Sequence, residues 1–193
     1  EVGQIVKLSD SIAVSWFLKA ANNGYDDAQY DMARRYFFGT GVKQDYSKAF
    51  EMYKKAGDQG HLDAQYEVAM CYYRGNGVAK DYSKTVEWLQ KAADKGDADS
   101  QYRLAICYEN GTGVTKDCSK AVEWYQKAAN QDKSAAECSL GWSYKNASGV
   151  AKDYPKAVEW FQKAADQNNS DAQYDLGMCY YDGTGVVQSY SKA

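Results

Sequence analysis

Apolar residues recur along the chain with the spacing of two alternating amphipathic helices. Ala28, Met32, Ala33 and Tyr36 follow the i, i+4, i+5, i+8 rhythm that puts side chains on one face of an α-helix. Residues 49–57 have the same kind of rhythm, with small residues that allow helices to approach closely. We name the first segment helix A and the second helix B, and we predict that they pack as an antiparallel pair.

Both segments return every 36 residues. The helix B motif DYSKAFEMYKKAGD starts at Asp45, and near copies start at Asp81, Asp117 and Asp153. The helix A motif starts at residues 28, 64, 100, 136 and 172. A fixed period of about 20 to 50 residues indicates a repeat array in which each unit packs on its neighbours. We therefore predict an all-α fold, an α-α superhelix of antiparallel helix pairs.

The period divides the chain into six segments of one predicted solenoid domain. Residues 1–27 are interpreted as the turn and helix B of a preceding repeat, because residues 3–7 align with residues 39–43. Four full repeats follow at 28–63, 64–99, 100–135 and 136–171, and residues 172–193 supply helix A and the turn of a truncated fifth. We expect the chain to be a piece of a longer array.

Turn and cap residues mark the helix ends. Asp45 and its equivalents stand where a carboxylate accepts the free amides of the first turn of helix B. The glycines of the G-x-G-V segment at residues 39–42 suit the positive φ of a helix C-terminus. Ala147 replaces the first of these glycines in the fourth repeat, so we expect a strained or differently shaped turn there.

One helix B position carries a tryptophan in four repeats. These residues are Trp16, Trp88, Trp124 and Trp160, with Met52 at the same position in the remaining helix B. A large apolar side chain at a recurring position is typical of a core. We predict that all four indoles are buried.

The charge balance disfavours nucleic acid and membrane as partners. The chain has 23 Lys and Arg against 26 Asp and Glu, a net charge of -3, and its basic residues are not clustered. Nonspecific binding to nucleic acid rests on clustered cationic charge. No apolar run approaches the roughly 20 residues that cross a bilayer. We therefore expect neither nucleic-acid binding nor membrane insertion.

Cysteine and histidine usage gives little basis for a metal site, a cofactor or catalysis. Cys71, Cys107 and Cys179 share one repeat position, whereas Cys118 and Cys138 each replace a tyrosine. Equivalent positions in adjacent repeats should lie beyond the ~7 Å Cα separation that a disulfide allows. Free thiols favour a reducing compartment such as the cytoplasm, with a secretory lumen as the alternative. The one histidine, His61, falls in a connection that we expect to be solvated.

The motifs A-x-x-x-L-G/A-x-x-Y, G-x-G-V and D-x-x-K-A-x-x-W-x-x-K-A-A, at a 36-residue step, resemble the Sel-one-like repeat (SLR) family, relatives of the tetratricopeptide repeats. The resemblance covers nearly the whole chain. It implies a right-handed α-α superhelix that acts as an adaptor between other proteins, with helix A lining the concave side. One bacterial branch of the family has paired cysteines about eight residues apart, and this chain lacks them.

A second stripe of helix A, well over 100° around the helix from the core stripe, is the predicted binding surface. We name it the groove stripe; it consists of Tyr30, Arg34, Phe37, Tyr66, Met70, Tyr73, Tyr102, Ile106, Trp142, Tyr174, Met178 and Tyr181. Aromatic rings and adaptable methionines are common anchors of protein interfaces. The alternative is that the recurring tyrosines only pack between repeats. One position of the stripe varies in size and charge between repeats, which favours binding there, and Trp142 is the strongest candidate. This position is occupied by Arg34, Met70, Ile106, Trp142 and Met178.

Three hypotheses of function remain open from the sequence. The first is a non-enzymatic scaffold or adaptor that binds a protein or peptide segment in the concave groove. The second is head-to-tail self-association, in which helix B residues 12–21 of one molecule cover the open helix A at the other end of the next. The third is binding of a glycan or another small ligand by the aromatic groove.

Overall fold

The computed structural model describes the backbone of residues 2–191 and the side chains of residues 12–191. This part of the chain forms ten helices and no strands: α1 (Val2–Asn22), α2 (Asp26–Phe38), α3 (Tyr46–Gln59), α4 (Leu62–Arg74), α5 (Tyr82–Asp94), α6 (Ala98–Asn110), α7 (Cys118–Ala129), α8 (Ser134–Asn146), α9 (Tyr154–Asp166) and α10 (Ser170–Asp182). The even-numbered helices are helix A and the odd-numbered ones helix B. The predicted all-α fold of paired helices is confirmed.

Helix B starts in every full repeat at the aspartate that the sequence predicts. The side chains of Asp45, Asp81, Asp117 and Asp153 accept hydrogen bonds from the backbone N–H three residues on. The Asp45 Oδ1 to Lys48 N distance, for example, is 3.0 Å. Each cap satisfies one of the four amides that a helix start leaves free.

The turn after helix A has one conformation in the repeats, and glycine is needed at its second glycine position. Gly149 has a φ of 77°, and a Cβ there would overlap the carbonyl oxygen of Cys118, at the start of α7. Ala147 keeps the same turn: it adopts the left-handed conformation, with φ 57° and ψ 38°, and its N–H reaches the carbonyl of Ser143. The fourth turn is therefore strained but not differently shaped.

The first helix differs from the sequence prediction. We expected a turn at residues 3–7, and the backbone is helical from Val2 to Asn22. The second glycine of the turn, which has positive φ in the later repeats, is Ile5 in this segment. A β-branched side chain strongly disfavours positive φ, so the turn that the alignment suggests is not available to this sequence.

The helices form two compact units, Glu1–Lys95 and Gly96–Ala193. In the first unit, one core cluster joins α1 and α2 around Ala28 and Met32, with the turn residue Val42 packed against it. In the second unit, a cluster centred on Phe161 joins α8, α9 and α10, and Val186 packs against it. The valine of the turn thus packs against the core in both units.

The tryptophan position is buried in the middle repeats and not at α1. Trp88 and Trp124 are buried, whereas Trp160 is half-buried and Trp16 is 65% exposed. The prediction of a buried indole is wrong for Trp16 and only partly right for Trp160. The ring of Trp88 lies against Gly57 of α3, where an added Cβ would be 3.1 Å from Cζ3. Trp16 has no earlier helix B among the described residues to cover it.

A buried side-chain amide links helix A to the helices on either side, a contact that the repeat pattern did not predict. The amide nitrogen donates to a carbonyl oxygen near the end of the previous helix B, in the buried pairs Gln29 to Ala21 and Gln65 to Gly57 and in the exposed pair Gln173 to Ala165. The amide oxygen accepts from a glutamine at the end of the next helix B, in the pairs Gln59 to Gln29 and Gln131 to Gln101. Lys95 occupies that second position after α5, and Gln65 Oε1 is left buried without a hydrogen-bond partner.

Within the described residues, every helix falls short of the length or the hydropathy that a bilayer span requires.

Candidate binding groove on helix A

The groove-stripe residues differ widely in exposure. Arg34, Tyr73, Trp142, Tyr174 and Tyr181 are exposed. Tyr30, Phe37, Tyr66, Tyr102, Ile106 and Met178 are half-buried, and Met70 is only 5% exposed. Met70 therefore offers no surface to a partner in this structure. The exposed members remain candidates for binding.

In the first unit, rings of the stripe pack mainly on neighbouring rings. Tyr30 stacks on His61 with 4.5 Å between ring centroids and lies 5.7 Å from Tyr53. Phe37 makes an edge contact with Tyr46 at 5.0 Å. These contacts fit the packing interpretation of the tyrosines. They leave Arg34 on α2 and Tyr73 on α4 as the exposed residues of the stripe, with Tyr66 half-buried.

The sequence suggested that His61 lies in a solvated loop, and the structure shows that it does not. Its Nδ1 accepts the N–H of Ala64 at 3.2 Å and so caps α4, while its Nε2 lies 3.4 Å from a carboxylate oxygen of Asp27. Only 15% of the side chain is exposed. The capping role was readable from its place before the helix, but stacking on Tyr30 depends on how α2 and α4 pack.

Charges of both signs face the same part of the first unit. Burial raises the pKa of the Glu67 carboxyl, and the guanidinium groups of Arg74 and Arg34 oppose this shift. Glu67 stands next to Tyr66 on α4. This surface is therefore mixed in charge and has no single preference for anions or cations.

In the second unit, helix A residues surround a cavity of about 440 Å³. Its walls include Tyr102 of α6, Cys138 and Trp142 of α8, and Asp171, Tyr174 and Asp175 of α10. Tyr102, Trp142 and Tyr174 belong to the predicted stripe. Cys138 and the two aspartates were not predicted as binding residues. The signal for Cys138 was its departure from the tyrosine of the other repeats.

Trp142 is held in place on one side and open on the other. Its ring meets Phe161 edge-on at 6.2 Å, and it is 43% exposed. The ammonium of Lys145 lies 4.9 Å from the ring centroid and 3.7 Å from Asp175 Oδ1. Asp175 is only 4% exposed. Burial raises the pKa of Asp175, while Lys145 and a hydrogen bond from Trp142 lower it. The site thus combines an exposed indole with a buried carboxylate.

The described residues contain no group of three or more side chains suited to hold a metal ion, and their five cysteines are free. Burial raises the pKa of Cys71 to about 12 and that of Cys107 and Cys138 to about 11. These thiols are therefore neutral at physiological pH. A neutral thiol is a poor nucleophile and a poor metal ligand.

Comparison with known proteins identifies the repeat. The sequence model of the Sel1 repeat matches residues 1–25, 26–61, 62–97, 98–133, 134–169 and 170–193. The chain belongs to the Sel1 repeat family. Proteins of this family are generally non-enzymatic scaffolds for protein–protein interaction. None of the curated proteins compared with the chain matches it.

Solved structures of other Sel1 repeat proteins have the same fold. The chain is similar to c5321, a protective antigen of uropathogenic Escherichia coli strains with an SLR fold. The identity is 37% and the TM-score 0.92, over 95% of the present chain. It is also similar to a Sel1 repeat protein from Oxalobacter formigenes, at 34% identity and a TM-score of 0.86, covering 95% of this chain and 75% of that one. For Helicobacter pylori cysteine rich protein B, the identity is 29% and the TM-score 0.55, over 70% of this chain and 97% of that one.

The chain spans 39% of the length of c5321. The similarity therefore concerns the repeat scaffold and not the whole of that protein.

Proposed function

We propose that this chain is an interaction module that holds a segment of a partner protein against helix A, with Trp142 as the main anchor. The observation that carries the proposal is the cavity of about 440 Å³ beside an indole that is 43% exposed. Partner residues inserted there would remove Trp142 and Tyr174 from water together. Large rings buried in this way dominate the energetics of many protein interfaces.

Preorganisation of the site favours binding. Trp142 already contacts Phe161 edge-on, and the Lys145 ammonium lies 4.9 Å from its ring centroid. Its ring is therefore largely fixed before a partner arrives. Immobilising a free side chain at an interface costs about 0.5–1.5 kcal/mol, and a fixed ring avoids most of that cost.

In the first unit, Tyr66 and Arg34 offer a smaller surface of the same kind. Arg34 is exposed and lies 6.0 Å from the Tyr30 ring centroid. Because Tyr30 fills its own neighbourhood by stacking on His61, less space is open here than around Trp142. We propose that this unit contributes secondary contacts, so that Tyr66→Ala weakens binding less than Trp142→Ala.

Selection of peptide segments tests the groove directly. Segments selected by display on the wild-type chain should bind Trp142→Ala at least about tenfold more weakly, the loss expected of an interface hot spot. Tyr154→Ala is the matched control, because this tyrosine is also partly exposed but lies in the first turn of helix B α9. Segments that bind both variants as well as the wild type would contradict the proposal, provided that circular dichroism shows both variants folded.

Self-association is a second candidate function, favoured by one observation in the first unit. A mostly apolar cavity of about 540 Å³ beside Trp16 is lined by residues of α1 and α2 such as Ala13 and Phe17. A second copy of the chain is the proposed occupant. Sedimentation velocity over a concentration range tests this proposal. The wild-type chain should form dimers or larger species, and the Trp16→Ala variant should be mostly monomeric at the same concentrations. A wild-type chain that is monomeric at every concentration would exclude this function.

A further inference from the structure

The cavity beside Trp142 is located where the fourth repeat departs from the pattern. Helix A carries Tyr30, Tyr66, Tyr102 and Tyr174 at one repeat position, and Cys138 stands there in α8. In the first unit, the Tyr30 ring occupies the space next to His61 and Tyr53. At Cys138 no ring is present, and the small thiol lines the cavity instead. The substitution at Cys138 thus removes a ring that, at Tyr30, fills the corresponding space.

The charges around this space are predominantly negative. Asp175 forms a nearly buried part of the wall, and Asp171 lies exposed at the rim. Lys145 is the cation paired with Asp175, which leaves one negative charge in excess among these three groups. The thiol of Cys138 adds none, because burial raises its pKa to about 11. The negative charges of Asp175 and Asp171 raise that pKa further.

The aromatic walls suit a cation as well. The Lys145 ammonium already lies over the Trp142 ring, 4.9 Å from its centroid, and 3.7 Å from Asp175 Oδ1. Tyr174 is 71% exposed and supplies a second ring at the cavity. The face of an aromatic ring attracts cations through its quadrupole, and a planar guanidinium stacks on it while donating to a carboxylate.

We propose that the cavity opened by Cys138 binds an arginine side chain of the partner segment, between the rings of Trp142 and Tyr174 and the carboxylate of Asp171. The proposal rests on the function proposed above and names the chemistry of its ligand. Lys145 stays paired with Asp175, so the incoming guanidinium pairs with the carboxylate of Asp171 at the rim. The arginine side chain as a whole occupies part of the volume that a tyrosine ring at position 138 would fill.

Titration with a small probe isolates this pocket from the rest of an interface. The probe is N-acetyl-arginine N-methylamide, followed by ¹H–¹⁵N NMR at the Trp142 indole, which Trp142→Phe assigns. Binding in the millimolar range is expected, as befits a ligand of this size. The citrulline analogue has nearly the same shape without the charge and should bind at least about fivefold more weakly. The glutamate analogue should give no shift.

Two variants test the parts of the pocket. Cys138→Tyr restores the repeat pattern and should abolish the probe-induced shift by filling the space. Asp171→Asn should weaken probe binding about threefold or more, whereas Asp182→Asn, an equal charge change at the end of α10, should leave it unchanged. Because Asp171 is exposed, its variant should fold even if Cys138→Tyr does not.

Equal binding of the arginine and citrulline probes, or an unaffected Asp171→Asn variant, would overturn the inference. A wild-type response in folded Cys138→Tyr would do the same. If the displayed segments require Trp142 but contain no basic residue, the groove function stands and the arginine pocket falls. If the segments bind Trp142→Ala as well as the wild type while the arginine probe binds as expected, the arginine pocket is supported and the proposed groove function is refuted.

Discussion

Replacing Ala147 by glycine should stabilise the chain. Ala147 has a φ of 57° in a turn whose equivalent first residue is Gly111, at 73°. A side chain in the left-handed conformation costs about 1–2 kcal/mol, because Cβ approaches a carbonyl oxygen. Glycine avoids that cost but loses about 0.4–1 kcal/mol through its greater freedom in the unfolded chain. The expected net gain in the free energy of unfolding is roughly 0.5–1 kcal/mol.

The measurement combines urea denaturation with hydrogen exchange at α8 and α9. Exchange is needed because repeat arrays often unfold in parts and not in one step. For a chain of this size, the gain corresponds to a rise in Tm of about 1–4 °C. The hydrogen bonds should not change, since the Ala147 N–H already reaches the carbonyl of Ser143 as in the glycine turns.

The neighbouring glycine is the matched control. Gly149→Ala adds a Cβ where the carbonyl oxygen of Cys118 lies, and at a φ of 77°. This variant should lose more than about 1 kcal/mol of stability. If Ala147→Gly leaves stability unchanged or lowers it, strain in this turn is not what the backbone angles indicate.

Three further predictions concern packing and charge. Lys95→Gln should raise the free energy of unfolding by about 0.5–1.5 kcal/mol, because it gives the buried Gln65 Oε1 a hydrogen-bond donor. Lys95→Met adds no donor, so an equal gain for this variant in urea denaturation would contradict the explanation. Burial raises the pKa of the Glu137 carboxyl above its ordinary 4.5, so this carboxyl binds its proton more tightly in the folded chain than in the unfolded chain. The charged carboxylate therefore destabilises the fold, and this loss of stability develops as pH rises through the raised pKa. The stability advantage of Glu137→Gln should therefore grow from pH 4.5 to 7, and an advantage independent of pH would refute this cause. Trp88→Ala should lower the free energy of unfolding by about 3–5 kcal/mol, and Trp16→Ala by less than about 1 kcal/mol, because only Trp88 is buried. Equal losses of stability in calorimetry would contradict this reasoning.

The helices, their order and most of their ends follow from the sequence alone. The 36-residue period, the capping aspartates and the glycine turns are local signals, and local signals recur whenever the same residues recur. The groove stripe could likewise be drawn from helical spacing, and Tyr102, Trp142 and Tyr174 from it do line one cavity. Substitutions inside the pattern, such as Ala147 and Cys138, were visible as departures before their effects were.

Tertiary structure decided which members of the pattern are buried, paired or open. Trp16 and Trp88 share one repeat position but differ in burial, because only Trp88 has an earlier helix B beside it among the described residues. The stacking of His61 on Tyr30 and the pairing of Lys145 with Asp175 join residues about 30 positions apart. Helical periodicity places a side chain on a face of its own helix. The distance between two helices, and the space left between them, depends on the volumes of all the side chains that meet there.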